Sequence, residues 1–219
     1  VVIQGLTAGR LARRRGLSSR GEQGVLITSS NKVALFLGEA LVANGIKVKG
    51  VDTRREGLMD ARMKGMETFF GNPLSEHADR FMELAGYTHL FAVSRNPEAN
   101  AMICARHRHD FGPHRVFSVQ ASSMDESDTR QGLMTGLRTN ILFDKEASWA
   151  KLASQIGQGA TVRSTPLTDE YDYEAYCAAQ GKQALKLFAL DERGKLRVFS
   201  GQEEFEPEPG WTVISLSAE

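Results

Sequence analysis

Short apolar runs of strand length alternate along the chain with segments whose apolar residues follow a helical period. The first run, Gly24–Ser29, predicts a buried strand. In the segment after it, Asn31 is a candidate helix N-cap and Gly45 a natural helix stop. Between these two, apolar residues recur at helical spacing, at Val33, Ala34, Leu37, Leu41 and Val42. The opening pattern therefore predicts a strand, a tight loop and a helix.

The same alternation continues further along the chain. It predicts strands at Ile46–Val51, Glu67–Phe70, His89–Ser94, Arg115–Val119 and Ile141–Phe143. It predicts helices at 54–64, Leu74–Ala85, Ala99–His109 and near 147–156. Strands that alternate with helices indicate an α/β fold, here a Rossmann-like parallel sheet with helices on both faces. Right-handed crossovers leave a crevice at the carboxyl ends of such strands, where these sheets bind ligands.

The last sixty or so residues have a different pattern. Four apolar or alternating runs predict strands, at Ala160–Leu167, Ala184–Leu190, Leu196–Ser200 and Trp211–Leu216. The turn 191–194 joins two of them. We interpret the acidic and tyrosine-rich segment 169–176 as solvated, with its tyrosines at a lobe interface; cation binding is the alternative. The chain thus divides into a basic linker at 1–20, a Rossmann-like domain at 21–157 and a small β-rich lobe at 158–219.

Composition and charge narrow the class of protein. The 219 residues include 27 Lys and Arg against 27 Asp and Glu, which argues against a globally basic nucleic-acid binder. The first 20 residues nevertheless carry five arginines and no acid, directly after the apolar stretch Val1–Gly9. This order is that of a membrane helix ending in cytoplasmic arginines; an amphipathic anchor or the start of a soluble segment remains open. Because the chain begins at Val1 rather than Met, we expect it to be part of a longer polypeptide.

The loop after the first strand is a candidate phosphate site. In dinucleotide-binding folds this loop carries three glycines, and here the corresponding residues are Ser29, Asn31 and Ala34. Ser29, Ser30 and Asn31 supply polar side chains at a helix N-terminus, where free N–H groups and the dipole favour anions. Lys32 adds a positive charge. We expect this helix tip to hold a phosphate in a less standard way.

Asp52 supplies the second part of a nucleotide-binding pattern. It ends the second predicted strand, where an acid accepts hydrogen bonds from ribose hydroxyls and disfavours a 2′-phosphate. This favours NAD or an adenosine nucleotide over NADP, although Arg54 and Arg55 follow directly and are able to engage a phosphate. The alternative is a turn acid at a strand end, followed by two solvated arginines.

The order of these segments resembles the regulator-of-potassium-conductance (RCK) domain, the TrkA-N nucleotide-binding module of Trk and Kef systems. The resemblance covers about residues 24–120 and rests on GVLITSSNKVALFL, VDTRRE, FFGNPLSE and THLFAVSRNPEANAMICARHRHDFG. Gly71, Asn72, Ser94, Asn96 and Asn100 occupy the places of family motif residues. The resemblance implies a homodimer that binds NAD(H) or an adenine nucleotide (AMP, ADP or ATP). The resemblance places Ser29, Asn31, Asp52, Asn72 and Ser94 in the ligand crevice. Together with Ser30, Lys32, Thr53, Arg54 and Asn96 they are the ten candidate ligand-binding residues.

The flanking segments resemble parts of NhaP-type sodium(potassium)/proton antiporters. VVIQGLTAGRLARRRGL is similar to the end of their last transmembrane helix, and LFDKEASWAKLASQIGQGATVRSTPLTDEYDY to the region after their RCK-like module. The C-terminal lobe loosely resembles the TrkA-C type. Together these resemblances imply a cytoplasmic regulatory domain at the bacterial inner membrane, joined to a transmembrane antiporter domain and controlling monovalent cation transport.

Other chemistry is weaker in the sequence. His107, His109, Asp110 and His114 have metal-ligand side chains, but interleaved arginines favour a basic helix end instead. We expect Cys104 to be buried in a helix and expect no nucleophile. A hydride-transferring dehydrogenase would need a substrate domain, and its one acid/base candidate is the strand residue His89. The remaining alternative is a Rossmann module that binds no nucleotide and serves in dimerisation or scaffolding.

Overall fold

The computed structural model describes residues 23–120, 139–144, 147–180, 184–201 and 205–217. The strands are β1 (Gly24–Thr28), β2 (Lys47–Asp52), β3 (Glu67–Phe70), β4 (Tyr87–Ala92), β5 (Val116–Ser118), β6 (Asn140–Ile141), β7 (Thr161–Pro166), β8 (Leu185–Leu190), β9 (Leu196–Val198) and β10 (Thr212–Ser217). The helices are α1 (Lys32–Ala43), α2 (Arg55–Met63), α3 (Glu76–Phe81), α4 (Pro97–Phe111), α5 (Trp149–Gly157) and α6 (Tyr173–Gln180). The basic segment 1–20 lies outside the described residues.

Six strands form one parallel sheet in the order β3-β2-β1-β4-β5-β6. The order reverses direction at β1, so β2 and β4 flank it on opposite sides. In open α/β sheets this switch point is where the loops after the strands diverge and leave a crevice. The Rossmann-like α/β prediction is confirmed.

The two faces of this sheet bury different sets of side chains because strand residues alternate. Val25 and Ile27 of β1 point to the face covered by α1, α2, α5 and the small sheet. Leu26 points to the other face, where it packs with residues of α3 and α4 such as Ala78 and Ile103. Each fully buried apolar side chain contributes about 1.5–3 kcal/mol to folding, so the alternation strongly fixes the register of the strand.

The third helix is shorter than its sequence pattern indicates. The apolar spacing predicts a helix over Leu74–Ala85, whereas α3 begins after the N-cap Ser75 and ends at Phe81. One side-chain contact lies at each end of α3. The Ser75 hydroxyl caps Ala78 N–H at 3.2 Å, and buried Lys49 donates to the Glu83 carbonyl at 2.8 Å. A buried ammonium needs an acceptor, and here that acceptor is a carbonyl just beyond α3.

The C-terminal strands form an antiparallel sheet in the order β7-β10-β8-β9. This agrees with the β-rich C-terminal segment that the sequence predicts. This sheet packs on the parallel one through stacked rings. Phe188 of β8 lies parallel to Phe91 of β4, with centroids 5.8 Å apart and planes inclined by 2°. Both rings are fully buried. The two sheets therefore share one hydrophobic core.

Residues 173–180 form the helix α6, which the sequence reading missed. Asp172 caps it by accepting from Ala175 N–H at 2.9 Å. Tyr176 is only 1% exposed and packs with Leu167 and Val213 of the small sheet itself. The expectation of a solvated segment with tyrosines at a lobe interface is therefore wrong for Tyr176. Among the described residues, no helix has the length and apolar character needed to cross a bilayer.

Candidate functional site

A crevice of about 580 Å³ opens at the carboxyl ends of β1, β2 and β4. This is the switch point of the sheet, and the volume is within the range of small-molecule sites. The lining residues are Thr28, Ser29, Asn31, Val51, Asp52, Thr53, Arg54, Asn72, Pro73, Leu74, Ser94, Arg95, Ala99 and Ile103. The structure thus brings together seven of the ten residues selected from the sequence. Ser30, Lys32 and Asn96 are not in the lining.

Ser29 keeps the backbone conformation of the glycine that it replaces. Its φ is +108°, a value that L residues other than glycine rarely adopt, and its N–H donates to the Val51 carbonyl at 2.8 Å. Such a conformation costs on the order of 1–3 kcal/mol for a residue with a side chain. The tight turn of a dinucleotide-binding loop is therefore retained although its first glycine is absent.

The Asn31 side chain is hydrogen-bonded to backbone N–H groups at the N-terminus of α1. Its carboxamide oxygen accepts from Val33 N–H and Ala34 N–H, both at 3.0 Å. Its amide nitrogen donates to the Ser29 hydroxyl at 2.9 Å and to the Val93 carbonyl at 2.6 Å. These are the N–H groups that we expected to hold a phosphate. In the structure, a side chain of the same loop already satisfies two of them.

Asp52 lies across the crevice at the end of β2, with a side chain only 10% exposed. It accepts from the Ser30 N–H and hydroxyl and from the Arg54 N–H at 2.7, 2.6 and 3.0 Å. The Arg54 guanidinium is 3.3 Å from the same carboxylate. Partial burial disfavours the charge, but these hydrogen bonds outweigh burial and lower the pKa of Asp52 below its usual value. Asp52 is thus an ionised, oriented acceptor.

Ser30 lies beneath the crevice instead of lining it. The residue is 6% exposed and packs against Gly57 in the first turns of α2. A Cβ added at Gly57 would lie 2.6 Å from the Ser30 Cβ and 2.7 Å from its carbonyl oxygen. The absence of a side chain at Gly57 therefore lets the β1–α1 loop approach α2, and Ser30 then reaches Asp52.

The loop after β3 is held in place from both ends. Asn72 closes its own turn by accepting from Leu74 N–H at 2.9 Å. The Pro73 carbonyl accepts from Nε2 of His107, and Nδ1 of that ring lies 3.0 Å from the Asp110 carboxylate. His107 is 2% exposed, whereas the His109 side chain is fully exposed. The histidines of this helix end therefore point apart, and His107 anchors a wall of the crevice.

Ser94 is fixed by the amide group of a buried residue. Asn100, 1% exposed, accepts from Ser94 N–H at 3.0 Å and donates to the Ser94 carbonyl at 2.9 Å. Asn96 is the N-cap of α4, since its side chain accepts from Ala99 N–H at 2.8 Å. Asn96 therefore shapes the loop after β4 without lining the crevice.

Two cationic side chains differ from their sequence-based roles. Lys32 extends toward the carboxyl end of α5, where its ammonium lies 3.7 Å from the position of a Cβ on Gly157. Arg95, which the sequence reading missed, lines the crevice and stacks on Trp149 with its guanidinium carbon 4.9 Å from the ring centroid. The position of Arg95 directly after Ser94, at the end of β4, was the available signal. Arg54 and Arg95 are the two basic residues among the described lining residues.

The chemical character of the crevice follows from its described lining residues. Asp52 is the one acidic residue in the described lining, and a lowered pKa makes it a poor general base. The described lining also contains no histidine or cysteine. Cys104 is buried in α4, and burial raises the pKa of its thiol to about 12. A polar ring of hydroxyls and amides around apolar Leu74 and Ile103 fits a ligand with a sugar-like part and a flat apolar part.

Comparison with known proteins gives structural similarities only. No protein-family model matches the chain, and no curated protein matches it. Similar solved structures include the TrkA-N domain of the Escherichia coli inner membrane protein YbaL, at 19% identity over 61% of this chain and 93% of that one, with a TM-score of 0.47. An NAD(P)-binding domain of an exopolyphosphatase-related protein from Archaeoglobus fulgidus has 18% identity over 62% and 94%, with a TM-score of 0.45. The GsuK RCK domain has 9% identity over 90% of this chain and 44% of that one, with a TM-score of 0.45.

Proposed function

We propose that the chain is a regulatory domain that binds an adenine nucleotide in the crevice. One observation carries the proposal: an ionised, hydrogen-bonded Asp52 faces apolar residues at the switch point of the sheet. The carboxylate would accept from ribose hydroxyls through its Oδ1 atom, which has one hydrogen bond against three on Oδ2. Leu74 and Ile103 would contact the base.

The loop after β1 favours a mononucleotide over NAD(H). A dinucleotide places its pyrophosphate on the first N–H groups of this helix, and Asn31 already bonds two of them. The phosphates of AMP, ADP or ATP would instead use the two crevice arginines, Arg54 and Arg95. Arg54 is 64% exposed and its pair with Asp52 is long, so it is free to turn toward a phosphate.

The regulatory part of the proposal rests on the sequence resemblance to RCK modules and NhaP-type antiporters. In that setting, the partner is a transmembrane antiporter domain of the same polypeptide at the cytoplasmic face of the inner membrane. A homodimer of the regulatory domain would pass on the signal. Nucleotide binding controls transport only if the nucleotide has different affinities for two states of the domain.

A second candidate function is a Rossmann module that binds no nucleotide and serves in dimerisation. The observation in its favour is that the crevice polar groups bond each other. Asn31 caps α1, and Ser30 and Arg54 bond Asp52, so none of these groups needs a ligand.

Calorimetric titration and thermal unfolding with AMP, ADP, ATP, NAD and NADH separate these functions. A nucleotide at 100 times its Kd adds about 2.7 kcal/mol to the free energy of unfolding. The variant Asp52→Asn should weaken that binding, whereas Asp60→Asn, on the exposed side of α2, should not. Binding of none of the five compounds would favour the scaffold function. Equal affinity of Asp52→Asn and the unchanged protein would contradict the assigned ribose contact.

A further inference from the structure

A second cleft lies at the opposite end of the parallel strands from the nucleotide crevice. It has a volume of about 380 Å³ and is bounded by the amino ends of β4 and β5 on one side and by β9 of the small sheet on the other. Its lining residues are Gln23, Thr88, His89, His114, Arg115, Phe117, Lys195, Leu196, Arg197, Val198 and Phe205. Both sheets therefore contribute to this basic cleft.

The charges of the basic cleft have one sign. Arg115 comes from the parallel sheet, and Lys195 and Arg197 come from the small sheet. No aspartate or glutamate is among the described lining residues. Cations in a concave surface with apolar walls produce a focused positive potential that attracts anions.

The backbone holds these cationic residues at fixed positions. The Arg115 carbonyl accepts from Leu90 N–H of β4 at 2.9 Å. Lys195 N–H donates to the Asp191 carboxylate at 2.7 Å, and the Lys195 carbonyl accepts from Asp191 N–H at 3.0 Å. The Arg197 guanidinium carbon lies 4.9 Å from the Phe205 ring centroid.

His89 also lines the cleft, and the positive charges of Arg115 and Lys195 act on its ring. His89 stacks on Phe117 with ring centroids 6.4 Å apart. Burial, together with the nearby charges of Arg115 and Lys195, lowers the pKa of His89 to about 4. Both cations are therefore close enough to act on this ring. At neutral pH the ring is therefore uncharged, and its Nδ1 is hydrogen-bonded to the Thr88 hydroxyl at 2.9 Å.

We propose that the basic cleft binds a small soluble phosphate-bearing anion that bridges the two sheets. Arg115 on the parallel-sheet side of the cleft and Lys195 on the small-sheet side would both contact a bound phosphate, which would join the two sheets through opposite charges. Guanidinium groups match phosphate geometry, and Phe117 and Phe205 would contact an apolar part of the ligand. Occupancy would thereby strengthen the contact between the sheets, independently of the nucleotide crevice.

The test is calorimetry and thermal unfolding of the full chain with inorganic pyrophosphate at constant ionic strength. The test variant is Arg115→Gln with Lys195→Gln, and the control Arg80→Gln with Arg193→Gln removes the same charge from exposed residues outside the cleft. We expect pyrophosphate to bind the unchanged protein and the control, and to bind the test variant at least about tenfold more weakly. A second variant, the crevice control Arg54→Gln with Arg95→Gln, removes the cations of the nucleotide crevice and reports any pyrophosphate that binds there instead.

Each other outcome overturns the proposal. Absence of pyrophosphate binding, an equal loss in the Arg80 and Arg193 control, or a loss confined to the crevice control would each do so. A test variant less stable than the unchanged protein without ligand would show that a carboxylate of the chain already pairs with these cations. Binding to phosphatidylglycerol vesicles without binding to pyrophosphate would assign the phosphate to a lipid headgroup instead.

Discussion

The carboxylate of Asp52 accepts two hydrogen bonds from Ser30, one from its N–H at 2.7 Å and one from its hydroxyl at 2.6 Å. This pair ties the loop after β1 to the end of β2. It also explains why an acid at this position stays ionised although it is largely buried. The pair depends in turn on Gly57, against which Ser30 packs.

The substitution Gly57→Ala should destabilise the protein by about 1–3 kcal/mol, because the new Cβ would overlap Ser30. The control is Gly157→Ala at the end of α5, where a Cβ meets only the Lys32 ammonium, at 3.7 Å. That change should be neutral or stabilising by up to about 1 kcal/mol. Urea denaturation measures both. Equal effects of the two substitutions would show that Gly57 is not a packing requirement.

The variant Ser29→Gly should be more stable than Ser29→Ala. This reverses the usual order, in which alanine is the more stabilising of the two residues. Ser29→Ala keeps the strained positive φ, whereas Ser29→Gly releases it, which should favour glycine by about 1 kcal/mol. Both variants lose the same bond from Asn31, so their difference isolates the backbone. At exposed Ser154 in α5, alanine should instead be the more stable residue. Thermal unfolding of the four variants tests the prediction, and alanine above glycine at both positions would contradict it.

Removing the side chain at position 31 should open the α1 tip to a pyrophosphate. Asn31→Gly frees Val33 N–H and Ala34 N–H, and glycine caps a helix only a few tenths of a kcal/mol worse than asparagine. We expect the affinity for NAD to rise relative to that for AMP, as measured by calorimetry. Asn44→Gly, at the other end of α1, is the control and should leave this ratio unchanged. A constant ratio in Asn31→Gly would mean that Asn31 does not exclude the dinucleotide.

His107 should contribute to stability and to crevice binding, whereas His109 should contribute to neither. His107→Phe removes the bonds to Pro73 and Asp110, which should cost about 1–3 kcal/mol of unfolding free energy. His109→Phe, at a fully exposed position, should change stability by less than about 0.5 kcal/mol. Because Pro73 lines the crevice, nucleotide affinity should also fall in His107→Phe alone. Denaturation and titration of the two variants give the comparison.

The protein should lose stability as the pH falls from 6.5 toward 4, in part because of His89. In that range the unfolded chain protonates this histidine, while burial and the cations Arg115 and Lys195 keep it neutral in the folded chain. His89→Gln should therefore flatten the pH dependence of unfolding, and the exposed His109→Gln should not. Identical pH profiles for the two variants would contradict this role of His89.

The parallel strands were largely predictable from the sequence because most are short apolar runs and several are followed by a helical period. Burial on both faces of β1 explains why its run is continuous. Asp52 was predictable from its place at the end of the second strand, which is enough to put it at the ligand edge of the sheet. Asn72 and Ser94 were expected there from the resemblance to RCK modules.

Side-chain direction was not predictable in the same way. Lys32 and Ser30 belong to the correct loop, but one extends to α5 and the other turns under the crevice toward Gly57. The end of α3 depends on Lys49 of β2, which is distant in sequence. The Lys49 ammonium donates to the Glu83 carbonyl, just beyond the helix. Each of these outcomes is set by a tertiary contact that local periodicity does not contain.

The parallel, stacked rings of Phe91 and Phe188 limit where the chain can be shortened without exposing the hydrophobic core. A shortened chain that stops before the small sheet would leave Phe91, Phe117 and Phe143 facing water on one side of the parallel sheet. Such a fragment would be prone to aggregate even with every residue of the nucleotide crevice intact. The last four strands therefore complete the hydrophobic core on one face of the six-stranded sheet.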